Sequence, residues 1–379
     1  MDFKPQKVLR PLAAMAIVAF GVLILSLVIG ETHNAGNKDF TSYWAAGQLL
    51  IRHANPYDPE AVLRIEQSAG FSLPKPLLMR NPPFALILAL PLGLVSAKLG
   101  AVLWSLLLVA AIMLSVRLTW ALNCRPPDRL HLLGYIFAPV LSCLALGQTS
   151  VFALVGLVLF LKLREMRPFA AGAALALLAI KPHVILPFAL VVLLWSFRRR
   201  MYFVPLGAIA AMACALAPAL WLDHSLLSHY VPVFKDANAE SAWIPTFSSL
   251  VHAPLRRFGA WSQFLPLIVG VLWAVFFFRR NRDQWDWNRQ GLLLLLVSVW
   301  IAPYCWFTDE IILLPAILRG IFLASNRSLI SFAVIDGIAL LAAVFGVPVG
   351  SGFFIWTSTA WIAWYVFTVR QMDSKASGI

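Results

Sequence analysis

Long apolar runs dominate this chain, and they limit what it can fold into. Residues 11–30 (PLAAMAIVAFGVLILSLVIG) carry no charge, and eleven further apolar runs follow them. A helix that crosses a bilayer needs about 20 mostly apolar residues. Of the 379 residues, 61% are hydrophobic and 12% are charged. In soluble domains about 45–50% of the residues are apolar and about 25% are charged. The sequence therefore predicts an all-α polytopic membrane protein and excludes a soluble enzyme.

The apolar runs predict about 12 transmembrane helices in a single domain, residues 1–379. After 11–30 they lie at 99–118, 131–146, 149–163, 168–180, 182–197, 201–222, 261–278, 290–306, 309–323, 328–347 and 352–369. Several of these runs are too short to cross a bilayer alone, unless the protein thins there or lines a cavity. The run at 82–95 either spans the membrane or, without crossing it, lies against the outer face or re-enters from that side. Two long loops, 31–98 and 223–260, connect the runs.

The distribution of charge predicts the orientation of the chain. If 82–95 re-enters, the segments on one side hold 20 of the 30 Lys and Arg residues and six acidic ones. The other side then holds ten of each sign. Basic residues collect on the cytoplasmic side of membrane proteins. We therefore expect both termini in the cytoplasm, both long loops outside, and a positive inner face that attracts anionic membrane lipids rather than nucleic acid.

Sequence motifs for cofactors are missing from the chain. It has no Walker A loop, GxGxxG, HExxH or GxSxG motif, and its four cysteines are scattered without a CxxC pair. Nothing therefore indicates ATP, a nicotinamide cofactor, zinc or a serine nucleophile, and we expect no cofactor and no metal; a divalent ion could bind Asp39, Asp58 or Asp309, but the spacing does not demand one. Because the remaining connections are short, a functional site has to form from the two long loops and the outer helix ends.

The first outer loop places a carboxylate close to the membrane surface. Asp39 follows the first apolar run by nine residues and precedes Tyr43 and Trp44. At headgroup depth such a carboxylate meets the polar head of a lipid-linked substrate. It could equally cap the following helix or be solvated. The pattern over 39–53 predicts an amphipathic interfacial helix.

Several segments in the same order resemble one enzyme family. They are DFTSYWAAGQLL, NPYDPEAV and NPPFALILALPL in the first loop, then LALGQTSVFAL, RPFAAGAALALLAIKPHVILPFALVVLL, FSSLVHAPLRRF and APYCWFTDEIILLPAIL. They resemble glycosyltransferase family 87 (the DUF2029 group), which are polyprenyl-phosphate-dependent membrane enzymes of GT-C type. The resemblance implies a GT-C fold with interfacial helices in the first loop. It also implies a site on the extracytoplasmic face, in the bacterial inner membrane.

The implied reaction moves a sugar of the mannose or arabinofuranose class from a polyprenyl-phosphate donor to a lipid or glycan acceptor, with inversion. The resemblance makes Asp39 the catalytic base and places Tyr43 in the substrate site. Such a base takes the proton of the acceptor hydroxyl. The leaving phosphate needs cationic donors, for which Arg80 and Lys181 are the first candidates, followed by Arg52 and Lys75.

Further candidates lie in three short polar segments. Lys181 interrupts an apolar stretch, so it should face a cavity or a partner, unless it extends to the membrane surface at a helix end. His183 follows it. Asp309 either binds sugar hydroxyls, holds a neighbouring cation, or caps a helix; many family members have histidine around this point, so the chain departs from the pattern here. Gln148 resembles the family's GQ turn and either contacts the sugar or satisfies the turn itself.

Two other classes of protein fit the span count. One is a transporter or lipid flippase, but transporters often show two related halves, and this chain shows no internal repeat. The other is a non-catalytic membrane scaffold, which follows if Asp39 proves dispensable. Asp336, alone in the middle of a span, is expected to be a satisfied structural residue.

Overall fold

The fold is helical throughout the part of the chain described by the computed structural model, which comprises residues 20–21, 36, 38–235 and 244–376. The first predicted span, 11–30, lies outside the described residues except for Phe20 and Gly21. The other predicted apolar runs all fall within described parts of the chain.

Sixteen α-helices are described. The first eight are α1 (Asp39–Leu50), α2 (Pro59–Ser68), α3 (Leu86–Ala89), α4 (Ala97–Leu122), α5 (Ala138–Leu146), α6 (Ser150–Leu163), α7 (Pro168–Leu178) and α8 (Pro182–Arg198). The others are α9 (Phe203–Leu222), α10 (Leu226–Lys235), α11 (Phe247–Leu255), α12 (Leu265–Asn281), α13 (Leu292–Trp300), α14 (Leu314–Leu323), α15 (Asn326–Val344) and α16 (Thr357–Ala376).

Short 3₁₀ segments extend or connect these helices. They are Pro83–Ala85, Leu90–Leu94, Leu130–Tyr135, Arg256–Phe258, Ala260–Phe264, Arg282–Gln284, Phe307–Leu313 and Gly352–Trp356. A π-helical turn, Trp287–Gly291, leads into α13. Prolines mark several helix starts, for example Pro168 and Pro182, because proline has a fixed φ and lacks the N–H that a first helical turn leaves unpaired.

Five described helical segments are long and apolar enough to cross a membrane. They are Ala97–Leu122, Phe203–Leu222, Ala260–Gln284, Asn326–Val344 and Gly352–Met372. Shorter apolar helices cover Pro83–Leu94, Ser150–Leu163, Pro168–Leu178 and Pro182–Arg198. The predicted class, a polytopic helical membrane protein, is confirmed, and five of the predicted spans meet both criteria of length and composition.

Helix α1 differs from its prediction. The sequence predicted an amphipathic interfacial helix over 39–53. A helix is present, but the prediction that it lies at the interface is wrong, because ten of the twelve residues of α1 are buried. The cause is close packing against the broken helix Pro83–Leu94: a Cβ on Gly47 or Gly93 would overlap backbone atoms of the opposite segment. The run at 82–95 is thus only twelve helical residues long and lies against α1, which favours the re-entrant interpretation.

Helices α6, α7 and α9 form a layer with close backbone contacts. A Cβ on Gly156 of α6 would overlap the backbone of α7, and a Cβ on Gly172 of α7 would overlap that of α9. Because α6 and α7 are neighbours joined by a short connection, they run antiparallel. The turn before α6 and the turn between α7 and α8 therefore lie at the same end of the bundle.

Asp336 is buried within the candidate span Asn326–Val344. Its Oδ1 accepts a hydrogen bond of 2.8 Å from the backbone N–H of Ala138, the first residue of α5. The first N–H groups of a helix have no partner within the helix, so this carboxylate satisfies one of them across the fold. The contact agrees with the structural role that the sequence suggested.

Candidate active site

Asp39 and Gln148 meet where α1 begins. The Gln148 side-chain amide donates a hydrogen bond to Oδ2 of Asp39. Gly147, just before Gln148, has φ +73°, and a Cβ there would lie 3.1 Å from the Cβ of Phe40. Only glycine adopts this left-handed backbone without strain. The GQ turn therefore closes against the start of α1 and aims Gln148 at the carboxylate.

The surroundings of Asp39 make it a stronger base than an ordinary aspartate. Burial raises the pKa of Asp39 from 3.8 to about 6, against the lowering effects of the nearby Lys181 ammonium and the Gln148 hydrogen bond. The N-cap of α1 is Lys38, not Asp39. The helix-capping alternative for this carboxylate is therefore wrong.

Lys181 forms a buried ion pair with Asp309. Its Nζ lies 3.0 Å from Oδ1 of Asp309, and the two side chains are 12% and 1% exposed. Lys181 thus turns into the protein rather than towards a membrane surface. A buried charge is tolerated when it is paired and hydrogen-bonded, and this pair meets both conditions.

Asp309 accepts two more hydrogen bonds. Ser150 Oγ donates to Oδ1 at 2.6 Å, and the Trp306 backbone N–H donates to Oδ2 at 3.0 Å. The carboxylate therefore holds the Lys181 cation and also caps the helix Phe307–Leu313. Both contacts were among the roles that the sequence left open for it.

Glu310 lies beside Asp309 in sequence but has a different function in the fold. Its Oε1 accepts from Thr357 Oγ1 at 2.6 Å, and its Oε2 accepts from Trp361 Nε1 at 3.0 Å. Both donors belong to α16. One acid of the pair thus faces the candidate site, while the other fastens Phe307–Leu313 to α16.

Two buried polar atoms at the site lack a hydrogen-bond partner among the described residues. They are Oε1 of Gln148 and Nε2 of His183. The His183 ring lies 5.0 Å from that of Tyr304, and His183 interacts electrostatically with Asp309 and Lys181. An unsatisfied buried polar atom is costly, and a bound hydroxyl would relieve that cost at both positions.

Tyr43 and Arg80 differ in how far they are exposed at this cluster. Tyr43 is 5% exposed, hydrogen-bonds Thr149, and interacts electrostatically with Asp39. Arg80 is exposed, and its backbone carbonyl accepts from the Tyr230 hydroxyl at 3.2 Å. Arg80 is also close enough to Tyr304 for an electrostatic interaction. It therefore borders the cluster at its accessible edge.

The structure adds residues that the sequence did not single out. Ser150 holds Asp309, and Asn81 Nδ2 donates to Ile180 O at 3.3 Å, which ties the Arg80 segment to the turn of Lys181. Ser150 stands two residues after Gln148 in the polar segment GQTS. The polarity of that segment was the sequence feature that could have identified Ser150 as a site residue. Arg52 instead donates to Gln48 at 2.6 Å on the surface, away from this cluster.

A metal ion has no evident site in the described ranges, since no three His, Cys, Asp or Glu side chains there are grouped to hold one. The polar cluster consists of a desolvated carboxylate, a paired cation and unsatisfied polar atoms. Such an arrangement suits proton transfer and the binding of hydroxyl and phosphate groups.

Comparison with known proteins gives one family. No match to the chain is found among curated proteins or among solved structures. The sequence profile of Glycosyltransferase family 87 matches residues 80–325, well over half of the chain. Arg80, Gln148, Lys181, His183 and Asp309 fall inside that match, whereas Asp39 and Tyr43 precede it. The chain belongs to glycosyltransferase family 87.

Proposed function

We propose that this membrane glycosyltransferase moves a sugar of the mannose or arabinofuranose class from a polyprenyl-phosphate donor to a lipid or glycan acceptor. The transfer inverts the anomeric centre and takes place on the extracytoplasmic face of the bacterial inner membrane, within a GT-C fold of about 12 spans. The observation that carries the proposal is the desolvated Asp39 carboxylate, which lies beside Gln148 and the Lys181 cation.

Asp39 acts as the general base in this proposal. The acceptor hydroxyl gives its proton to the carboxylate while its oxygen attacks the anomeric carbon. The bond from that carbon to the phosphate oxygen breaks, and polyprenyl phosphate leaves with the bonding electrons. A pKa of about 6 leaves the carboxylate mostly ionised at neutral pH and makes it a better proton acceptor than a solvated aspartate. A positioned base contributes typically about 10²–10⁴-fold to the rate.

Lys181 and Arg80 stabilise the charge that develops on the leaving phosphate. An ammonium group has three N–H donors, and Asp309 orients Lys181 by accepting from it at 3.0 Å. Arg80 approaches from the accessible edge of the site, where a lipid-linked donor enters. Cationic groups fixed before the reaction begins stabilise the transition state without reorganising.

The unsatisfied polar atoms bind the sugar in this proposal. Oε1 of Gln148 accepts from one sugar hydroxyl, and His183 contacts another, while Tyr43 closes the site beside Asp39. The sugar is bound in this proposal with its anomeric carbon between the acceptor hydroxyl at Asp39 and the leaving phosphate, as in-line displacement requires. The polyprenyl chain of the donor remains in the bilayer, so membrane lipids surround the substrate throughout.

The test is transfer of radiolabelled sugar from polyprenyl-phosphate mannose, and in parallel from polyprenyl-phosphate arabinofuranose, to membrane lipid extracts. Wild type is compared with Asp39→Asn and with the control Glu60→Gln, which changes an exposed carboxylate of the same loop. We expect transfer by wild type and control, and at least about a 100-fold loss in Asp39→Asn. Equal transfer by all three would remove Asp39 from the mechanism, and substrate flux into vesicles without transfer would favour the transporter alternative.

A further inference from the structure

A cavity lies away from the candidate active site. Its volume is about 370 Å³, and α12, the π-helical turn Trp287–Gly291, α13 and α16 form its walls. On α16 it reaches Arg370, which is 13 residues beyond Thr357, the residue that contacts Glu310 near the active site. With a rise of 1.5 Å per residue, these positions are about 20 Å apart along the helix. The cavity is therefore separate from the Asp39 site.

The polar side of this cavity is cationic. Arg289 and Arg370 line it together with the side chains of Asn281 and Gln290, and none of its lining residues is acidic. Asp286 lies close enough to act electrostatically on Tyr365 in the cavity wall, as does Arg289. The two lining guanidinium groups thus outnumber this neighbouring carboxylate.

One wall of the cavity is preformed. Tyr365 lines the cavity and is 3% exposed. Its hydroxyl is hydrogen-bonded to Arg319, which also donates to Oδ1 of Asn123 at 3.4 Å. The guanidinium of Arg319 therefore holds Tyr365 in place from outside the cavity. These contacts fix the shape of the polar wall without a ligand.

The rest of the lining is apolar. Phe277 of α12, Leu293 of α13 and Val366 of α16 contribute to it. The cavity also lies near the C-terminal ends of two candidate spans, Ala260–Gln284 and Gly352–Met372. At the end of a span, headgroups and the first methylene groups of lipid chains meet the protein. Basic pockets between transmembrane helices at that depth suit anionic headgroups.

We propose that this cavity binds an anionic phospholipid. Arg289 and Arg370 take the headgroup phosphate by charge-assisted hydrogen bonds, and the apolar wall receives the beginning of an acyl chain. A soluble phosphate would gain only the first of these interactions. In the predicted orientation, the lipid belongs to the cytoplasmic leaflet, opposite the face on which sugar transfer is proposed.

The test titrates the purified full-length chain, in a neutral detergent, with phosphatidylglycerol, phosphatidylcholine or inorganic phosphate. Bound molecules are counted by native mass spectrometry. We expect phosphatidylglycerol to bind at least about tenfold more tightly than phosphatidylcholine, and the double variant Arg289→Gln, Arg370→Gln to lose that preference. The control Arg199→Gln, Arg280→Gln removes two exposed arginines outside the cavity and should keep it.

A further variant tests the shape of the cavity rather than its charge. Val366→Trp fills the apolar part, so we expect it to weaken phosphatidylglycerol binding while every charge is kept. Equal binding of the two lipids, or equal losses in the cavity and control pairs, would overturn the proposal. Retention of inorganic phosphate as tight as that of the lipid would also overturn it. Because the readout is bound lipid, its result does not depend on sugar transfer.

Discussion

At the scale of single residues, the candidate site combines groups that each cost stability. Asp39 is a desolvated carboxylate, and Gln148 and His183 each keep a buried polar atom without a partner in the described parts of the chain. A fold selected for stability alone would satisfy or replace such groups. Perturbed carboxylates are typical of active sites, and the two unpartnered atoms in the same polar cluster are the residue-level observations behind the proposed site.

Replacing Asp39 should separate activity from stability. Folding raises the pKa of Asp39 from 3.8 to about 6, so the folded state binds the proton more tightly, and its stability falls as the pH rises through that window. Above pH 6 the ionised side chain destabilises the fold. We therefore expect Asp39→Asn to be inactive yet at least as stable as wild type at pH 7.5, as measured by thermal unfolding in detergent. A clear fall in Tm at pH 7.5 would contradict this.

The same pKa predicts the pH dependence of the reaction. If Asp39 must be ionised to accept a proton, kcat/KM should fall about tenfold per pH unit below about pH 6 and level off above it. Glu60→Gln should show the same profile as wild type. A profile without an inflection near pH 6 would indicate that another group acts as the base.

The Lys181–Asp309 pair allows a test by compensation. Lys181→Met leaves the carboxylate of Asp309 buried without its cation, which typically costs about 3–5 kcal/mol. Adding Asp309→Asn removes that charge and keeps one acceptor oxygen, which serves Ser150 or the Trp306 N–H but not both, so the double variant should regain part of its thermal stability. Because the phosphate-binding cation is still missing, sugar transfer should remain low. Full recovery of transfer would make the pair purely structural.

At the scale of elements, short helices build the site. Helices α6, α7 and α8 have 14, 11 and 17 residues; the turn before α6 carries Gln148, and the turn between α7 and α8 carries Lys181. A helix that ends early leaves its polar turn inside the protein rather than at the membrane surface. The short apolar runs in the sequence indicated this, because a helix too short to span has to line a cavity or pack within the protein.

The turn before α6 gives an element-level prediction. Gly147→Ala places a Cβ on a left-handed residue, at a cost of about 1–2 kcal/mol, and 3.1 Å from Phe40. We expect lower stability and a loss of kcat, because Gln148 moves away from Asp39. The control Gly337→Ala has open space around its Cβ and should be neutral or slightly stabilising. Unchanged kcat in Gly147→Ala would show that the turn does not position Gln148 for catalysis.

At the scale of the whole molecule, charge and burial divide the protein into two ends. On α16, Thr357, which contacts Glu310 next to Asp309, and Arg370, which lines the arginine cavity, are about 20 Å apart. The predicted topology puts the excess of positive charge, 20 basic against six acidic residues, on the side that carries this cavity. The two ends thus suit different ligands, a sugar donor at one and an anionic lipid at the other.

Cysteine labelling tests that orientation. Cys124 and Cys214 are exposed, whereas Cys143 and Cys305 are buried, so Cys214→Ser leaves Cys124 as the one exposed thiol within the described parts of the chain. In right-side-out spheroplasts, we expect a membrane-impermeant maleimide to leave Cys124 unlabelled until the membrane is permeabilised. Glu60→Cys, in the first outer loop, should react at once. The reverse pattern would invert the predicted topology and move the site to the cytoplasmic face.

The sequence alone determined the membrane class, the positions of most helices and the family, because apolar length, charge distribution and short motifs are local properties. It also named Asp39, Tyr43, Gln148, Lys181, His183 and Asp309, which the structure brings into one polar cluster, and Arg80, which borders that cluster. Only the tertiary structure showed that Lys181 pairs with Asp309, that Glu310 instead fastens α16, and that α1 is buried. Those outcomes depend on which side of each helix faces a neighbour, and this is decided by close packing between distant segments, such as Gly47 against Gly93.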